Sequence, residues 1–570
     1  MCGILGYFNF SKNLPSRKEF TKSLNLMRHR GPDGSGVSSF ENGFLGHRRL
    51  SIIDLTNNAK QPMFNEDESI AITFNGEIFN YKELKSFLEK KHAFKSNSDT
   101  EVLIHGYEEW GLDLLLKKIN GQFAFGLYDL KKKKIFLVRD RSGINPLYYS
   151  LENNTLIFSS ELKSINYFLK QTQLDSKAVD LFFRFGYIPS PMTIFTNIKK
   201  LKPAHYIEIS KNYFFEREYW KLNISNNGFS IKKNISKIQA LLDESVKKRL
   251  VSDVPIGAFL SGGADSSAVV ATMAKYKSDL HTFSIGFENS KYDETKYAQN
   301  IADAVNTDHH VKILTEKDFF KYLEKVPFHY DEPFADSSQI PTMAVSDFAK
   351  KYVTVSLSGD GGDELFAGYN SHVLLNKYAL LSKSIYYTKY LWSLIGHSKI
   401  AENLFPNKLN NLYNSFYYFY GFHNLKFDNN MLNYIQKVDY KYYLPDDILT
   451  KVDRASLAFS LESRPPLLDN DLVDFAFSIL PEQRIKNNIS KFIFKKALED
   501  RVPKYNLYRD KMGFGFNCND YVKGYDFNYN NFKDYMSLSK FNKITSENNI
   551  SYWYAVIFDK WSKYYDTNFK

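Results

Sequence analysis

The sequence predicts two domains, an α+β domain followed by an α/β domain built on a parallel sheet. The chain has 570 residues, and single hydrophobic cores stop growing at about 250–300 residues. Up to about residue 210, apolar runs of strand length alternate with turn sequences, as in antiparallel α+β proteins. After about residue 225, strands alternate with helices, which is typical of a parallel sheet flanked by helices.

The strands and helices of the first part are identified by their apolar patterns. Two helical stretches, Lys82–Lys91 and Asp99–Trp110, are expected among the strands. The lysine run Lys131–Lys134 lies between two apolar runs and predicts a hairpin turn. The predicted strands are AITF (71–74), QFAFGLYDL (122–130), KIFLVRD (134–140) and TLIFSS (155–160).

The second part opens with a predicted amphipathic helix, ISKIQALLDESVKKRLV (235–251), whose apolar residues recur at helical spacing. Strand candidates follow at PIGAFL (255–260), HTFSIGF (281–287) and YVTVSL (352–357). We therefore expect domains at residues 2–211 and 225–570. The last fifty residues carry no local pattern that assigns them a role.

Composition narrows the class of protein. The net charge is +11, but the lysines are spread along the chain and indicate a solvated surface rather than a binding patch. Basic and aromatic residues form no recognised nucleic-acid motif, so no nucleic-acid partner is expected. Two cysteines cannot build a disulfide framework, which indicates a reducing compartment. With no signal sequence and no apolar run of about 18 residues, we expect a cytoplasmic protein without a membrane partner.

A glycine-rich loop follows the first strand of the second part. In FLSGGADSSAVVA (259–271), Ser261, Gly262 and Gly263 follow a strand and precede a helix. Glycines allow close approach of the backbone to phosphate, and serine hydroxyls and helix amides supply donors. Taken alone, the loop could equally be a capped turn. It lacks the GK[ST] signature, so it suits cleavage of ATP to AMP and pyrophosphate better than γ-phosphoryl transfer.

A second loop, VSLSGDGGDELFAGY (355–369), places Asp360, Asp363 and Glu364 after another strand. In parallel sheets, ligands collect beyond the carboxyl ends of strands. One loop rich in donors and one rich in carboxylates together provide what Mg²⁺ and ATP require. The alternative, an acidic surface turn, is less favoured once both loops are considered together.

These two loops resemble the synthetase domain of glutamine-dependent asparagine synthetases, which are ATP pyrophosphatases. DEPFADSSQIPT (331–342), DILTKVDRASLAFSLESRPPLLD (447–469) and RDKMGFGF (509–516) resemble the same family, in the same order. The resemblance covers nearly the whole chain. It implies that aspartate attacks the α-phosphorus of ATP to give a β-aspartyl-adenylate, from which ammonia displaces AMP.

The resemblance also implies roles for individual residues of the second domain. Asp265 and Asp363 are expected to bind Mg²⁺, and Asp360 to assist the adenylate and amide-forming steps. Lys491 is expected to stabilise charge at the reacting phosphate, although Lys486, Lys495 and Lys496 make the register ambiguous and a solvated lysine is the simpler alternative. The expected ATP-binding residues are Leu260, Ser261, Gly262, Gly263, Asp265, Ser266, Ser267, Ile285, Ser358 and Gly359. Arg464 is expected to brace the domain.

The first domain resembles class II glutamine amidotransferases, which begin with cysteine after removal of methionine. The chain opens MCGILGYF, which by itself would indicate only the start of a buried strand. RHRGPDGSG (28–36), GHRRLSIID (46–54), NGEIFN (75–80) and SDTE (98–101) resemble the later motifs of that family. The resemblance implies an αββα sandwich of the N-terminal-nucleophile hydrolase type.

In this family a thiol hydrolyses glutamine, and each requirement has a matching residue here. Cys2 is the expected nucleophile, with its own α-amine, of unperturbed pKa about 7.7–8.0, as the base. Asn75 and Gly76 are the expected oxyanion donors. Arg49 suits the glutamine α-carboxylate, and Asp99 suits the α-ammonium, with Glu77 nearby. Singly, these residues could be a turn, a surface cation and a helix cap; together with Cys2 they favour the functional interpretation.

The resemblance therefore implies an asparagine synthetase that uses glutamine, aspartate and Mg-ATP and carries ammonia through an internal tunnel. The alternative is amidation of another carboxylate, such as a uronic acid of a surface polysaccharide. A homodimer is expected only by analogy with the family. The intact motifs argue against a non-enzymatic protein. Ser142, Asn145 and Ala204 depart from the family pattern, and we expect them to affect packing or interdomain contacts rather than activity.

Overall fold

A computed structural model describes residues 1–169, 172–288, 293–379, 430–509, 518–546 and 551–569. The motif at 509–516 therefore lies outside the described residues except for Arg509.

Two antiparallel sheets make up the amino-terminal domain. They are six-stranded, with strand orders β10-β8-β9-β1-β3-β2 and β12-β11-β7-β6-β5-β4. The strands are β1 (Gly3–Asn9), β2 (Gly34–Phe40), β3 (Gly43–Arg49), β4 (Met63–Phe64), β5 (Ile70–Ile78), β6 (Gly121–Asp129), β7 (Lys134–Arg139), β8 (Tyr148–Glu152), β9 (Thr155–Ser159), β10 (Lys199–Lys200), β11 (His205–Ser210) and β12 (Tyr213–Glu218). The lysine run forms the turn of the β6–β7 hairpin, as predicted. β12 pairs with β11 beyond residue 211, the predicted end of the domain, because the turn at 211–212 returns the chain to the same sheet.

Helices cover both outer faces of the stacked sheets. They are α1 (Arg17–Asn25), α2 (Tyr81–Leu88), α3 (Asp99–Lys118), α4 (Leu162–Asn166) and α5 (Ser176–Phe185). Because strand side chains alternate, Ile4 joins the apolar layer between the sheets, whereas Leu5 packs with Phe20 of α1 outside the first sheet. Phe125 of the second sheet packs with Leu103 of α3. The domain is an αββα sandwich, which confirms the predicted fold.

A five-stranded parallel sheet forms the centre of the second domain, with strand order β15-β14-β13-β16-β17. The strands are β13 (Ile256–Phe259), β14 (His281–Phe287), β15 (Asp308–Leu314), β16 (Val355–Leu357) and β17 (Glu462–Arg464). The predicted strand at 352–357 forms only from Val355. All carboxyl ends lie at one edge of the sheet, which places the two predicted phosphate loops side by side and confirms the α/β fold.

Helices surround this sheet. They are α6 (Ile231–Arg249), α7 (Ala264–Met273), α8 (Thr295–Val305), α9 (Glu316–Leu323), α10 (Val326–Tyr330), α11 (Gln339–Ala349), α12 (Gly362–Phe366), α13 (Asn370–Ala379), α14 (Met431–Val438), α15 (Leu449–Leu457), α16 (Asn470–Ala476), α17 (Pro481–Arg484), α18 (Phe492–Leu498), α19 (Lys504–Tyr508), α20 (Leu538–Ile544) and α21 (Ser551–Phe569). A π-helical segment, Asp439–Ile448, joins α14 to α15.

The carboxyl-terminal helix α21, whose sequence had suggested no role, packs against both domains. Its indole nitrogens at Trp553 and Trp561 donate to the carbonyl oxygens of Ala335 (2.9 Å) and Asp331 (2.7 Å), while Phe558 contacts Phe182 of α5. Within the described ranges, no helix combines the length and apolar character needed to cross a bilayer.

Candidate active site

Cys2 lies immediately before β1 and is held by hydrogen bonds from three directions. Its amide donates to Asn75 Oδ1 at 2.6 Å, and its carbonyl oxygen accepts from Arg30 Nε at 3.0 Å. Its thiol lies 3.7 Å from the carbonyl oxygen of Leu50, at the end of β3. The residue is only 8% exposed. The thiol is therefore fixed in place at the junction of the two sheets.

Burial and the nearby positive charges shift the pKa of the Cys2 thiol in opposite directions. Burial raises the pKa of Cys2, while the amino-terminal ammonium group and Arg49 lower it. The ammonium group, here on Met1, forms a buried ion pair with Glu462 of β17. Because the net pKa is raised, the thiol requires a nearby base to become a nucleophile.

Asn75 and Gly76, the expected oxyanion donors, lie on β5. Asn75 Nδ2 is buried and has no hydrogen-bond partner among the described residues. Its backbone oxygen accepts from Asn145 Nδ2 at 2.7 Å, which fixes the residue. A Cβ at position 76 would lie 2.2 Å from the Gln122 carbonyl oxygen, so only glycine fits there. A free donor thus lies on the same side chain that binds the Cys2 amide.

Glu77 and Asp99 form a buried acidic pair. Burial and the negative charge of Asp99 raise the pKa of Glu77 well above its usual value. Burial raises the pKa of Asp99 to about 6, even though its Oδ2 accepts from the Ile78 amide at 2.8 Å. Two neighbouring carboxyl groups whose charged forms are disfavoured by burial would be stabilised by a cation such as an ammonium group.

Arg49 lies at the end of β3, one residue before Leu50. Its Nη1 donates to the Thr56 carbonyl oxygen at 2.8 Å and its Nη2 to that of Asp54. Both acceptors belong to one loop, so the guanidinium is anchored close enough to Cys2 to influence the pKa of that thiol.

Two residues of β17, in the second domain, contact this region: Arg464 pairs with Glu77, and Glu462 pairs with the amino terminus. Arg464 Nη2 donates to Glu77 Oε2 at 3.1 Å, and Arg464 Nε donates to Glu462 Oε1 at 2.7 Å. Arg464 therefore braces the two domains against each other, whereas the sequence indicated a brace within one. Sequence reasoning missed Glu462, although charges at alternate positions of so short a strand would have indicated a shared polar face.

The two predicted phosphate loops line one cavity of about 510 Å³ at the carboxyl ends of β13 and β16. The expected ATP-binding residues that line it are Leu260, Ser261, Gly263, Asp265, Ser266, Ile285, Ser358 and Gly359. Gly262 and Ser267 are not among the lining residues. Gly262 adopts φ 72° and packs against the Tyr297 backbone, and Ser267 is buried within α7. These two residues therefore face the protein interior rather than the cavity.

Lys491 lies between the two carboxylates expected to bind metal. It forms ion pairs with Asp265 and, at 2.7 Å, with Asp363. Burial lowers the pKa of Lys491, but the two carboxylates outweigh burial and raise it. Lys496, one of the lysines that made the register ambiguous, instead pairs with Glu499 at 2.8 Å. Lys491, and not Lys496, therefore forms ion pairs with the two carboxylates expected to bind metal.

The residues around Asp265 and Asp363 fit Mg²⁺. Both offer carboxylate oxygens, the ligands that Mg²⁺ prefers. Two glycines keep the space open: a Cβ at Gly362 would lie 2.2 Å from Asp265 Oδ1, and one at Gly368 would lie 1.9 Å from Asp363 Oδ1.

Further charged groups in the cavity were missed by sequence reasoning. Lys451 Nζ lies 3.3 Å from Asp336 Oδ2. Burial raises the pKa of Asp360, and Lys451 partly counteracts this. Burial and Asp363 raise the pKa of Glu364 to about 8. Lys451 and Asp336 belong to motifs that the sequence had identified, but only their folded positions show that they face each other.

A buried ion-pair network connects the two sites. Arg30, which binds the Cys2 carbonyl, makes two hydrogen bonds of 2.8 Å to the carboxylate of Asp453. Asp453 lies on α15 next to Lys451 and Val452, which line the ATP-type cavity. Arg30 and Asp453 therefore link the backbone of Cys2 to a helix that lines the cavity.

The three departures from the family pattern lie outside the two pockets. Ser142 Oγ and Tyr440 Oη are 2.7 Å apart across the domain boundary. Asn145 donates the hydrogen bond to the Asn75 backbone oxygen described above. Ala204 adopts φ 58° in the turn before β11. Of the three, Asn145 is in contact with a proposed site residue.

Comparisons with known proteins agree with this arrangement. Residues 237–531 match the asparagine synthase family, and residues 1–220 match the glutamine amidotransferase domain family. Asparagine synthetase (glutamine-hydrolyzing) 1 of Bacillus subtilis is 34% identical over 549 residues, covering 90% of this chain and 87% of its own. Asparagine synthetase (glutamine-hydrolyzing) of Zea mays is 30% identical, covering 98% and 86%.

A putative asparagine synthetase (glutamine-hydrolyzing) 2 of Methanocaldococcus jannaschii is 43% identical over 405 residues, covering 67% of this chain and 77% of its own. Among solved structures, glutamine phosphoribosylpyrophosphate amidotransferase from B. subtilis, complexed with ADP and GMP, aligns with a TM-score of 0.30 and 16% identity. It covers 52% of this chain and 68% of its own. That TM-score is too low to support any conclusion.

Proposed function

Because the chain belongs to the asparagine synthase family of glutamine-dependent carbon–nitrogen ligases, we propose that it converts aspartate to asparagine at the expense of ATP. The observation that carries the proposal is the buried link from Cys2 through Arg30 to Asp453, on the helix that lines the nucleotide cavity. The side chains of Arg30 and Asp453 are both buried, so the connection between Cys2 and the cavity runs through the protein interior. The names of the relatives support aspartate as the acceptor.

In the first half-reaction, Cys2 attacks the side-chain amide carbon of glutamine. After removal of Met1, the α-amine of Cys2 takes the thiol proton and passes it to the departing nitrogen, so that ammonia leaves and a thioester forms. Asn75 Nδ2 and the Gly76 amide stabilise the oxyanion. Water then hydrolyses the thioester to glutamate and restores the thiol.

The acidic pair and Arg49 hold the amino-acid end of glutamine. The α-ammonium binds between Glu77 and Asp99, two buried carboxyl groups whose pKa values are raised by burial. Arg49 binds the α-carboxylate. Binding of a zwitterion by opposite charges accounts for selection of an amino acid over a simple amide.

In the second half-reaction, the β-carboxylate of aspartate attacks the α-phosphorus of ATP, and pyrophosphate leaves. Ammonia then attacks the activated carbonyl carbon, and AMP leaves with the electron pair of the broken bond. Asp360 takes the proton that the incoming nitrogen loses, and the pKa of Asp360, which burial raises, supports that role. Lys491 stabilises negative charge on the phosphates. Mg²⁺ at Asp265 and Asp363 would neutralise phosphate charge when bound.

The test is to supply glutamine, Mg-ATP and aspartate, and to measure asparagine, glutamate, AMP and pyrophosphate in the same samples. Equal amounts of asparagine, AMP and pyrophosphate, all dependent on aspartate, are expected. Formation of ADP and phosphate would contradict the adenylate. Glutamate released without asparagine at saturating aspartate would mean that another carboxylate is the acceptor.

A further inference from the structure

Two histidines and an aspartate meet at the amino-terminal ends of β14 and β15. The parallel register pairs His281 with Asp308 across the two strands. Side chains two residues apart on a strand point to the same face, so His310 lies beside Asp308. Register and alternation therefore bring His281, Asp308 and His310 together on one face of the sheet.

The potential ligand atoms of these residues form a nearly equilateral triangle. His281 Nδ1 lies 3.1 Å from Asp308 Oδ2 and 3.1 Å from His310 Nε2. His310 Nε2 lies 3.3 Å from Asp308 Oδ2. A tetrahedral zinc ion with bonds of about 2.0–2.2 Å separates its ligand atoms by about 3.3–3.6 Å. The triangle needs to expand by only a few tenths of an ångström to surround such an ion.

We propose that His281, Asp308 and His310 form a binding site for a divalent transition-metal ion, with Zn²⁺ as the best-suited ion. Two imidazoles and one carboxylate are common zinc ligands, with the fourth position left for water. Nitrogen ligands disfavour Mg²⁺ and Ca²⁺, which prefer oxygen. The side chains of His281 and Asp308 are 34% and 62% exposed, so water and the ion have access.

Aromatic side chains hold the more buried histidine in position. The ring of His310 stacks on Phe283, with centroids 5.3 Å apart and an interplanar angle of 18°. Tyr352 lies against the same ring at 4.2 Å. Such packing restricts ring rotation and lowers the entropy lost when the ring binds a metal.

The site is separate from the nucleotide cavity. The cavity lies toward the carboxyl ends of the strands and is lined by Phe283, Ser284 and Ile285 of β14. His281 begins β14, and none of the three proposed ligands lines the cavity. An ion here would join β14 to β15 at the opposite edge of the sheet. Its role would be to stabilise the domain.

A second cluster of similar composition, Glu66, His92, His105 and Glu108, is less suited to a metal. Burial lowers the pKa of His105, but hydrogen bonds to Glu101 and Glu108 outweigh burial and raise it. Its Nε2 lies 3.7 Å from Glu101, which is outside the cluster, so both ring nitrogens of His105 face carboxylates that favour the protonated imidazole. His105 also already hydrogen-bonds Glu108 at 2.9 Å.

His309 provides a matched control because it lies between two of the proposed ligands and faces the other side of the sheet. Its Nδ1 lies 2.9 Å from Thr282 Oγ1 and its Nε2 lies 3.3 Å from Ser284 Oγ. The experiment compares the full-length wild type with His281→Ala, His310→Ala and His309→Ala. Each protein is stripped with a chelator, dialysed against Zn²⁺ without nucleotide and measured for bound zinc by atomic absorption.

We expect His281→Ala and His310→Ala each to bind one equivalent of zinc less than the wild type, and His309→Ala to bind the same amount as the wild type. Zinc should raise the thermal midpoint of the wild type and of His309→Ala more than that of the other two variants. Matching circular dichroism spectra in chelator will establish that all variants are folded. Equal zinc content in all four proteins, or none in the wild type, would overturn the proposal and leave a hydrogen-bonded His–Asp–His cluster.

Discussion

Arg464 Nη2 donates a hydrogen bond to Glu77 Oε2 at 3.1 Å, across the boundary between the two domains. The backbone oxygen of Arg464 accepts from the amide of Ser358 at 3.0 Å, and Ser358 lines the nucleotide cavity. One residue thus contacts Glu77, which we propose binds glutamine, through its side chain and the cavity-lining loop at Ser358 through its backbone. Arg464 therefore connects Glu77 of the first domain directly to Ser358 of the second.

Replacing Arg464 by Met should lower the stability of the protein and weaken glutamine binding. The change leaves Glu77 and Glu462 buried without their shared cation, and breaking a buried pair costs about 3–5 kcal/mol. Thermal unfolding and the KM for glutamine measure the two effects. In a double-mutant cycle with Glu77→Gln, we expect a loss smaller than the sum of the single losses. Strict additivity would show that the two side chains are not energetically coupled.

Asn75→Ala should lower kcat for glutamine hydrolysis by about 100–1000-fold, equivalent to about 2.7–4 kcal/mol, because it removes an oxyanion donor. The KM for glutamine should change much less. Release of glutamate at saturating glutamine is the measurement. Asn145→Ala serves as the comparison, since it removes only a support of the Asn75 backbone. If both variants lose the same amount of activity, Asn75 acts through structure rather than through its amide.

Much of this arrangement was predictable from sequence because it depends on local rules. Apolar periodicity gave the strands, and a glycine-rich loop after a strand predicted the phosphate site beside β13. Glu462 and Arg464 were different. Their partners lie in the other domain, hundreds of residues away in the sequence. A pattern within a short stretch of sequence cannot predict a contact of this kind. The contact between Lys451 and Asp336 was likewise not predictable, because it forms only when α15 packs beside Asp336 in the folded protein.

Glutamine binding should weaken as the pH falls below about 6. In the proposed binding mode the substrate ammonium pairs with the ionised form of Asp99, and burial raises the pKa of this carboxyl to about 6. Protonation removes the attraction, so kcat/KM for glutamate release should fall about tenfold per pH unit below that value, mainly through KM. Asp99→Asn should show a raised KM and lose this pH dependence. An unchanged profile in Asp99→Asn would assign the titration to another group.

Lys491→Ala should abolish amide formation, because Lys491 is the cation between Asp265 and Asp363. Glutamate release at Cys2 should continue, since the glutamine pocket lies in the other domain. Pyrophosphate formation with ammonium, aspartate and Mg-ATP is the measurement. Lys496→Ala is the matched control, because Lys496 lies on α18, which begins directly after Lys491, and pairs with Glu499 instead. Loss of pyrophosphate in the control as well would point to damage to the helix.

Cys2→Ala should abolish glutamine-dependent synthesis and leave ammonium-dependent synthesis intact. The variant removes the nucleophile, whereas external ammonia needs only the nucleotide cavity. Cys518→Ala, which changes the other buried cysteine, should keep both activities. A retained amino-terminal extension should reproduce the Cys2→Ala result, because Cys2 would then carry an amide in place of its own base. Loss of the ammonium-dependent activity in Cys2→Ala would mean that the two pockets do not work as separate sites.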